Sequence, residues 1–327
     1  MKFIALGRTH WLLRSIEACA ARGHRVMAIV TAKPSPEYKA KEKDFQRLAR
    51  KADARFLCVD RLSKETISKL AVVTGADVAI SVNWPSLIPP SVLNLFEKGI
   101  INAHAGDLPR FRGNACPNWA ILSGEEKVVL SLHRMAPDLD AGPIHAQRSF
   151  RLKPDTYIGD VYRFLDDNMP GMFADLLDTM ARGKARPKIQ SQRPNGILRC
   201  LPRLPSDGFL DWARSAQDLC RVVRATAEPF PGAFTYFGGE KLVVWRARSR
   251  PLPHAFLGVP GQVVQVSRER GDVSIFTGKG LLDLEMVEWR SSGRRKAADI
   301  IQSTRVRLGM DLPEEIRKLR ERLRVRD

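Results

Sequence analysis

The chain has 327 residues, of which 44% are hydrophobic and 28% charged, which predicts a globular protein large enough for two domains. Its five scattered cysteines form no CxxC pair, which argues against a disulfide framework or a zinc site, and no apolar run approaches the roughly 20 residues of a membrane span. Lysine and arginine outnumber aspartate and glutamate by 54 to 36, and the resulting net charge of +18 favours polyanionic partners such as tRNA, a nucleotide-linked substrate or an anionic membrane surface.

The first half of the chain alternates apolar strand runs with helical patterns, as the βαβ units of a largely parallel sheet do. Strands are predicted at residues 3–6, 25–30, 56–59, 78–82, 100–103 and 128–134, and helices at 11–21, 45–52, 64–73 and 158–181. Met1 leads directly into the first strand without the charged and apolar regions of a signal peptide, so we expect a cytoplasmic protein.

The composition changes after residue 184, where four prolines interrupt any regular periodicity up to residue 206. A helix is predicted at 216–225, and short strands follow at 233–237, 242–244, 261–266, 273–276 and 281–286, separated by glycine-rich turns. A small β-barrel is the simplest packing for these strands. We therefore expect a first domain at 1–184, a linker at 185–206, a β-barrel domain at 207–305 and a basic helical tail at 306–327.

The tail is rich in arginine and ends in EEIRKLRERLRVRD. Its Ile316, Leu319 and Leu323 recur at spacings of three and four, which favours an amphipathic helix that packs those side chains inward. A dedicated nucleic-acid-binding arm is the alternative interpretation of the same charge.

The densest group of polar residues follows the predicted strand at 100–103. Alternation along that strand places Asn102 and His104 on one face, and Asp140 lies in a later turn before Gly142 and Pro143. An amide, an imidazole and a carboxylate are the groups that acyl transfer needs to hold an oxyanion and move a proton. On the residues alone, however, a histidine at a strand end is more often structural, and an aspartate before Gly-Pro usually marks a turn.

The spacing of these residues resembles the folate-dependent formyltransferase family. The resemblance rests on Asn-x-His at 102–104, on Leu-Pro-x-Phe-Arg-Gly at 108–113 and on Asp-x-Gly at 140–142. It implies a Rossmann-like α/β sheet followed by an OB-like β-barrel, with Asn102, His104 and Asp140 as the catalytic residues. It further implies 10-formyltetrahydrofolate as co-substrate and no metal, with the pterin against four residues: Ser86, Leu87, Ile88 and Leu139.

The chain departs from the family pattern in two places near these residues. Gly106 and Asp107 stand where family members usually have Ser-Leu, and Cys116 lies between Ala115 and Pro117 where many members have Ala-Pro. The first departure removes a hydroxyl and adds a charge close to the expected site, which bears on how the acceptor is positioned.

The acceptor amine is the point on which the family divides. Arg8 and Thr9 lie at a strand-to-helix turn that suits a phosphate, and four later residues are further candidates for substrate contact: Arg112, Gly113, Asn114 and Trp119. Several phrases, such as Asn118-Trp119 and the stretch 223–236, are similar to the formyltransferases that modify UDP-4-amino-4-deoxy-L-arabinose.

We therefore expect a nucleotide-linked 4-amino sugar as acceptor, in the synthesis of a surface polysaccharide or lipopolysaccharide. The segment 31–49 lacks the glycine-bearing basic loop of tRNA formyltransferases, but the net charge of +18 keeps methionyl-tRNA as the alternative acceptor. A third hypothesis is an inactive homologue that binds RNA through its basic barrel and tail. A homodimer is left open.

Overall fold

The computed structural model describes residues 1–33, 38–191, 193, 196–310, 316–317 and 320–321, without the side chains of 69 and 71–74. The chain divides into two compact units. The first unit comprises Met1–Cys116, Lys127–Arg151 and Val161–Pro202, and the second comprises Pro117–Glu126, Leu152–Asp160 and Arg203–Asp327. The segment 34–37, Leu319 and Leu323 lie outside the described residues, as does most of the predicted helical tail.

The first unit contains a seven-stranded sheet in the order β3-β2-β1-β4-β5-β7-β8. Its strands are β1 (Lys2–Gly7), β2 (Arg25–Thr31), β3 (Arg55–Cys58), β4 (Val78–Val82), β5 (Ile100–His104), β7 (Lys127–Arg134) and β8 (Ile144–Arg151). Strands β1 to β5 pair in parallel, whereas β7 and β8 are antiparallel additions. The connection between β7 and β8 is too short for a parallel crossover, which explains why β8 runs antiparallel to β7.

The helices of this half of the chain are α1 (His10–Ala21), α2 (Glu42–Lys51), α3 (Lys64–Thr74), α4 (Pro90–Leu93), α5 (Cys116–Ser123) and α6 (Ile158–Ala181). The central strand β4 is buried at every position because helices cover both faces of the sheet, so its sequence is apolar without alternation. One apolar cluster joins Leu12 and Ile16 of α1 to Phe3, Ile80 and α6. The predicted mostly parallel α/β sheet is confirmed.

A two-stranded parallel sheet accompanies the large one in the first unit. It pairs β6 (Phe111–Gly113) with β9 (Leu198–Cys200), so that Gly113 lies opposite Cys200. The residues predicted as a linker, 185–206, thus contain a strand that reaches back to the polar segment after β5. Within the described part of the chain, no helix is long and apolar enough to cross a membrane.

The second unit contains an antiparallel sheet in the order β10-β11-β14-β13-β12, with β15 paired to β14. Its elements are α7 (Ala216–Thr226), β10 (Ala233–Phe237), β11 (Glu240–Arg250), β12 (Val263–Val266), β13 (Val273–Phe276), β14 (Leu281–Trp289), β15 (Arg294–Lys296) and α8 (Ala297–Ile300). Gly238 and Gly239 both have positive φ and form the two-residue turn between β10 and β11. The predicted second, smaller β domain is confirmed, the structure shows its strands to pair antiparallel, and closure into a barrel stays a prediction.

Candidate active site

Strand β5 carries two of the predicted catalytic residues toward the carboxyl edge of the sheet. Asn102 lies opposite His133 of the antiparallel neighbour β7, and His104 lies opposite Ser131. The Nδ2 atom of Asn102 is 3.3 Å from Nε2 of His133. The sequence alone does not identify His133 as a site residue, because only the β5–β7 register brings it beside Asn102. Its one signal in the sequence is a polar residue in a mostly apolar strand.

Asp140 reaches the same place from the turn between β7 and β8. Its backbone has a φ of +52°, a left-handed conformation that is uncommon for residues other than glycine. Its Oδ2 accepts a hydrogen bond of 2.8 Å from the backbone N–H of Gly113 and lies 3.6 Å from Nδ1 of His104. Its Oδ1 lies 3.5 Å from Nε2 of His133, so the carboxylate lies between two imidazoles.

The hydrogen-bond partners define where protons sit on the two rings. Nε2 of His104 lies 2.8 Å from the carbonyl oxygen of Phe111, which can only accept, so Nε2 carries a proton. By the same reasoning, Nδ1 of His133 donates to the carbonyl of Arg134 at 3.1 Å, and its Nε2 faces both Nδ2 of Asn102 and Oδ1 of Asp140. An additional proton on His104 therefore belongs on Nδ1, the nitrogen that faces the carboxylate of Asp140.

Burial and charge act in opposite directions on these groups. Burial lowers the pKa of His104, and the neighbouring carboxylate of Asp140 opposes that effect. Burial also disfavours the charged form of Asp140, but hydrogen bonding to His133, the imidazole charges and the Gly113 N–H outweigh it and lower the pKa of Asp140 to about 2. The carboxylate is thus ionised at neutral pH and available to stabilise an imidazolium.

The imidazole of His104 is enclosed by the two positions at which the chain departs from the family pattern. A Cβ built on Gly106 would lie 2.5 Å from the Phe111 carbonyl oxygen and 2.8 Å from Cδ2 of His104. On another side, Sγ of Cys116 lies 3.6 Å from Nε2 of His104. The adjoining Cys200 thiol and burial both raise the pKa of Cys116, so this thiol stays protonated.

The residues predicted to contact the pterin lie on two loops of the first unit. Ser86 and Leu87 are exposed, with 74% of Leu87 accessible, and Ile88 is buried. Leu139 is half-buried beside Asp140. Their contact with a pterin stays a prediction.

Arg8 and Thr9 lie where β1 ends and α1 begins. Thr9 caps α1 through its backbone and is 2% exposed, yet its Oγ1 has no hydrogen-bond partner among the described residues. Nε of Arg8 is likewise buried without a partner in that part of the chain, while its guanidinium lies 5.2 Å from the ring centroid of Tyr38. Unpaired donors beside a helix N-terminus favour an anion there.

The other predicted substrate contacts differ in their surroundings. Arg112 is 5% exposed and donates to Oε1 of Gln190 at 3.0 Å, whereas Asn114 is exposed. Gly113 binds Asp140 through its N–H. Trp119 belongs to the second unit, where the guanidinium of Arg203 lies over its ring. Among the residues described, no group of three or more His, Cys, Asp or Glu side chains is arranged to hold a metal ion.

Comparisons with known proteins identify two family matches along the chain. The formyl transferase model matches residues 1–176, and the formyl transferase C-terminal domain model matches residues 204–305. HypX from Aquifex aeolicus, solved in complex with tetrahydrofolic acid, has a TM-score of 0.57 and 18% identity over 92% of this chain and 46% of its own. The chain therefore spans about half the length of HypX.

Two sugar-related structures are matched over nearly their whole length. WlaRD, a sugar 3N-formyl transferase solved with dTDP and 5-N-formyl-THF, has a TM-score of 0.63 and 13% identity over 89% of this chain and 98% of its own. The N-formyltransferase from Helicobacter canadensis, solved with folinic acid and dTDP-3-aminofucose, has a TM-score of 0.63 and 12% identity over 87% and 98%. At these identities the likeness is one of fold.

Proposed function

Because this chain belongs to the formyl transferase family, we propose that it transfers a formyl group from 10-formyltetrahydrofolate to the amine of a nucleotide-linked 4-amino-4-deoxy sugar. The product would be a precursor of a surface polysaccharide or lipopolysaccharide. The observation that carries the proposal is the convergence of Asn102, His104 and Asp140 at the carboxyl edge of the sheet, linked through His133. We assign the reaction to the cytoplasm, in keeping with five free cysteines.

Formyl transfer requires polar groups of this kind around the reacting carbon. A neutral amine attacks the formyl carbon, and the carbonyl oxygen becomes an oxyanion until the bond to the folate nitrogen breaks and that nitrogen takes up a proton. Asn102 has its Nδ2 3.3 Å from Nε2 of His133, and its amide N–H is the donor for the oxyanion. Burial lowers the pKa of His104 and Asp140 opposes that effect, so the carboxylate stabilises the imidazolium when the ring takes up a proton during transfer.

For the folate co-substrate, we propose that the pterin lies against four residues: Ser86, Leu87, Ile88 and Leu139. An exposed leucine on a loop beyond β4 is a surface that a flat, partly apolar ring would cover. HypX with tetrahydrofolic acid, and the two sugar-related enzymes with formylated folates, are proteins of similar fold that hold this class of molecule.

The proposal that the acceptor is a nucleotide-linked sugar is supported by the turn at Arg8 and Thr9, which favours an anion. Buried donors without partners in the described chain carry a desolvation cost of about 1–3 kcal/mol each, which a bound phosphate would remove. A nucleotide-linked sugar carries a diphosphate, and the Helicobacter canadensis enzyme of similar fold was solved with such a molecule. We place Arg112, Gly113, Asn114 and Trp119 among the further substrate contacts.

Methionyl-tRNA is the second candidate acceptor, and the net charge of +18 favours it. The deciding experiment incubates the full chain with 10-formyltetrahydrofolate and either UDP-, GDP- and dTDP-linked amino sugars or charged initiator tRNA, followed by mass spectrometry of each acceptor. Formylation of a nucleotide sugar is expected. Formylation of tRNA alone, with a rate that falls steeply with salt, would overturn the sugar assignment, and failure to bind 10-formyltetrahydrofolate would overturn formyl transfer itself.

A further inference from the structure

Gln190, from the segment between α6 and β9, clamps the turn that carries Asp140. Its side chain is 4% exposed, and its Nε2 donates to the carbonyl oxygens of Asp140 at 2.8 Å and Gly142 at 2.6 Å. Its Oε1 accepts a hydrogen bond of 3.0 Å from Nη2 of Arg112. Both N–H groups of the amide are therefore directed at one turn, while its oxygen accepts a hydrogen bond from Arg112 of β6.

The turn requires such a clamp because its backbone is constrained from several sides. Asp140 holds a left-handed φ of +52°, which costs of order 1 kcal/mol or more for a residue with a side chain. Gly142 is pressed against the end of β7, since a Cβ there would overlap the carbonyl oxygen of Arg134. Two buried carbonyl oxygens then point toward Gln190, and leaving either without a donor would cost about 1–3 kcal/mol.

We propose that Gln190 is a positioning residue for the formyl transfer reaction: it fixes the backbone of the turn so that the carboxylate of Asp140 stays between His104 and His133. The inference depends on the proposed function only in naming formyl transfer as the reaction for which Gln190 positions Asp140. Arg112 takes part by orienting the Gln190 amide from β6, the strand whose Gly113 N–H binds the same carboxylate. Two neighbouring β6 residues thus hold Asp140, one directly and one through Gln190.

The proposal has a measurable electrostatic consequence at His104. The titratable groups that face this imidazole are Asp140 from the turn, His133 from β7 and Cys116 at the start of α5. Of these, Asp140 raises the pKa of His104 against the lowering by burial. If the clamp is removed and the carboxylate withdraws, the pKa of His104 should fall further.

The experiment measures that titration directly in the full chain. Protein labelled with ¹⁵N-histidine is titrated by NMR, and the His104 signals are assigned by their loss in His104→Gln. Gln190→Met keeps the side-chain volume and removes the hydrogen bonds. The matched control is Gln262→Met in the second unit, where Gln262 also holds backbone, accepting from the N–H of Val259 at 2.6 Å.

The expected result is a lower midpoint for His104 in Gln190→Met and an unchanged midpoint in Gln262→Met. A residue that merely tethers its segment would lower the stability of Gln190→Met but leave the His104 titration at its wild-type position, and that result would overturn the proposal. If Gln190→Met does not fold, Gln190→Asn gives the same test, because the shorter side chain withdraws the amide from both carbonyl oxygens.

An activity measurement accompanies the titration. Gln190→Met should lower kcat for formyl transfer about tenfold to a hundredfold, because the clamp positions a reacting group. Loss of folate binding in the wild-type chain would contradict the proposed function while the NMR comparison still decides the role of Gln190. A normal kcat in Gln190→Met would count against the positioning role.

Discussion

The sharpest test of the site geometry is the substitution Gly106→Ala. The added Cβ would lie 2.5 Å from the carbonyl oxygen of Phe111 and 2.8 Å from Cδ2 of His104. Ordinary contacts between such atoms are about 3.5–4.0 Å, so a displacement of about 1 Å is required. The Phe111 carbonyl belongs to β6, which is paired to β9, so the backbone at Gly106 and the imidazole of His104 are the groups that move.

The expected fall in kcat follows from the two contacts that the imidazole of His104 loses. Rotation breaks the 2.8 Å bond from Nε2 of His104 to Phe111 and turns Nδ1 away from Asp140. A misplacement of about 1 Å costs on the order of a hundredfold in rate, and overpacking costs about 1–3 kcal/mol of stability. We therefore expect kcat to fall about a hundredfold while the protein remains folded.

The assay combines steady-state transfer from 10-formyltetrahydrofolate with denaturant unfolding of the same samples. Gly171→Ala is the matched control, because Gly171 lies in α6 with no atom within 4 Å of a built Cβ. That variant should keep its kcat and gain up to about 1 kcal/mol from helix propensity. A Gly106→Ala enzyme whose kcat is within about threefold of wild type would refute the argument that the missing side chain sets the orientation of His104.

Three further predictions concern the same unit. Asn102→Ala should lower kcat by about a hundredfold to a thousandfold in the transfer assay through loss of an oxyanion donor, and a loss of only a few fold would remove Asn102 from that role. Asp140, whose pKa falls from 3.8 to about 2 on folding, should contribute about 2 kcal/mol of stability that is present above pH 4 and lost as the pH falls toward 2; urea unfolding should show that loss in wild type and much less of it in Asp140→Asn. Burial lowers the pKa of His145 from 6.5 to about 4, so the unfolded state binds its proton first and stability should decline by about 2–3 kcal/mol as the pH falls from 6.5 to 4. The same unfolding series on His145→Gln should be flatter over that interval, and an identical slope would contradict the burial of a neutral ring.

The periodicity of the sequence was sufficient to predict most of the longer helices and strands. The β4 and β10 ranges and the bounds of α6 agree with the structure, because apolar runs and 3.6-residue spacing reflect local burial on a strand or helix. The short strands β6 and β9 were missed, since three residues carry no usable period and each is stabilised by a partner far along the chain.

The surroundings of the candidate site depended on contacts that no local pattern records. His133 lies beside Asn102 only because β7 runs antiparallel to β5 in one particular register. Arg112 was predicted as a substrate contact, and only the fold shows that its buried guanidinium also donates to Gln190. Gln190 itself comes from a stretch whose prolines favour a linker, and its role depends on two carbonyl oxygens about 50 residues away in sequence.

By itself, the sequence determined the mostly parallel α/β sheet, a second domain of short strands and the placement of Asn102 and His104 on one face of β5, since these follow from side-chain period and the alternation of strands and helices. Only the tertiary structure decided which groups surround them: His133 across the sheet, Asp140 held in a left-handed turn, and Gln190 behind that turn. The physical reason is that a period fixes the face on which a residue lies, whereas the choice of neighbour depends on strand register and on satisfying buried polar groups across the whole unit.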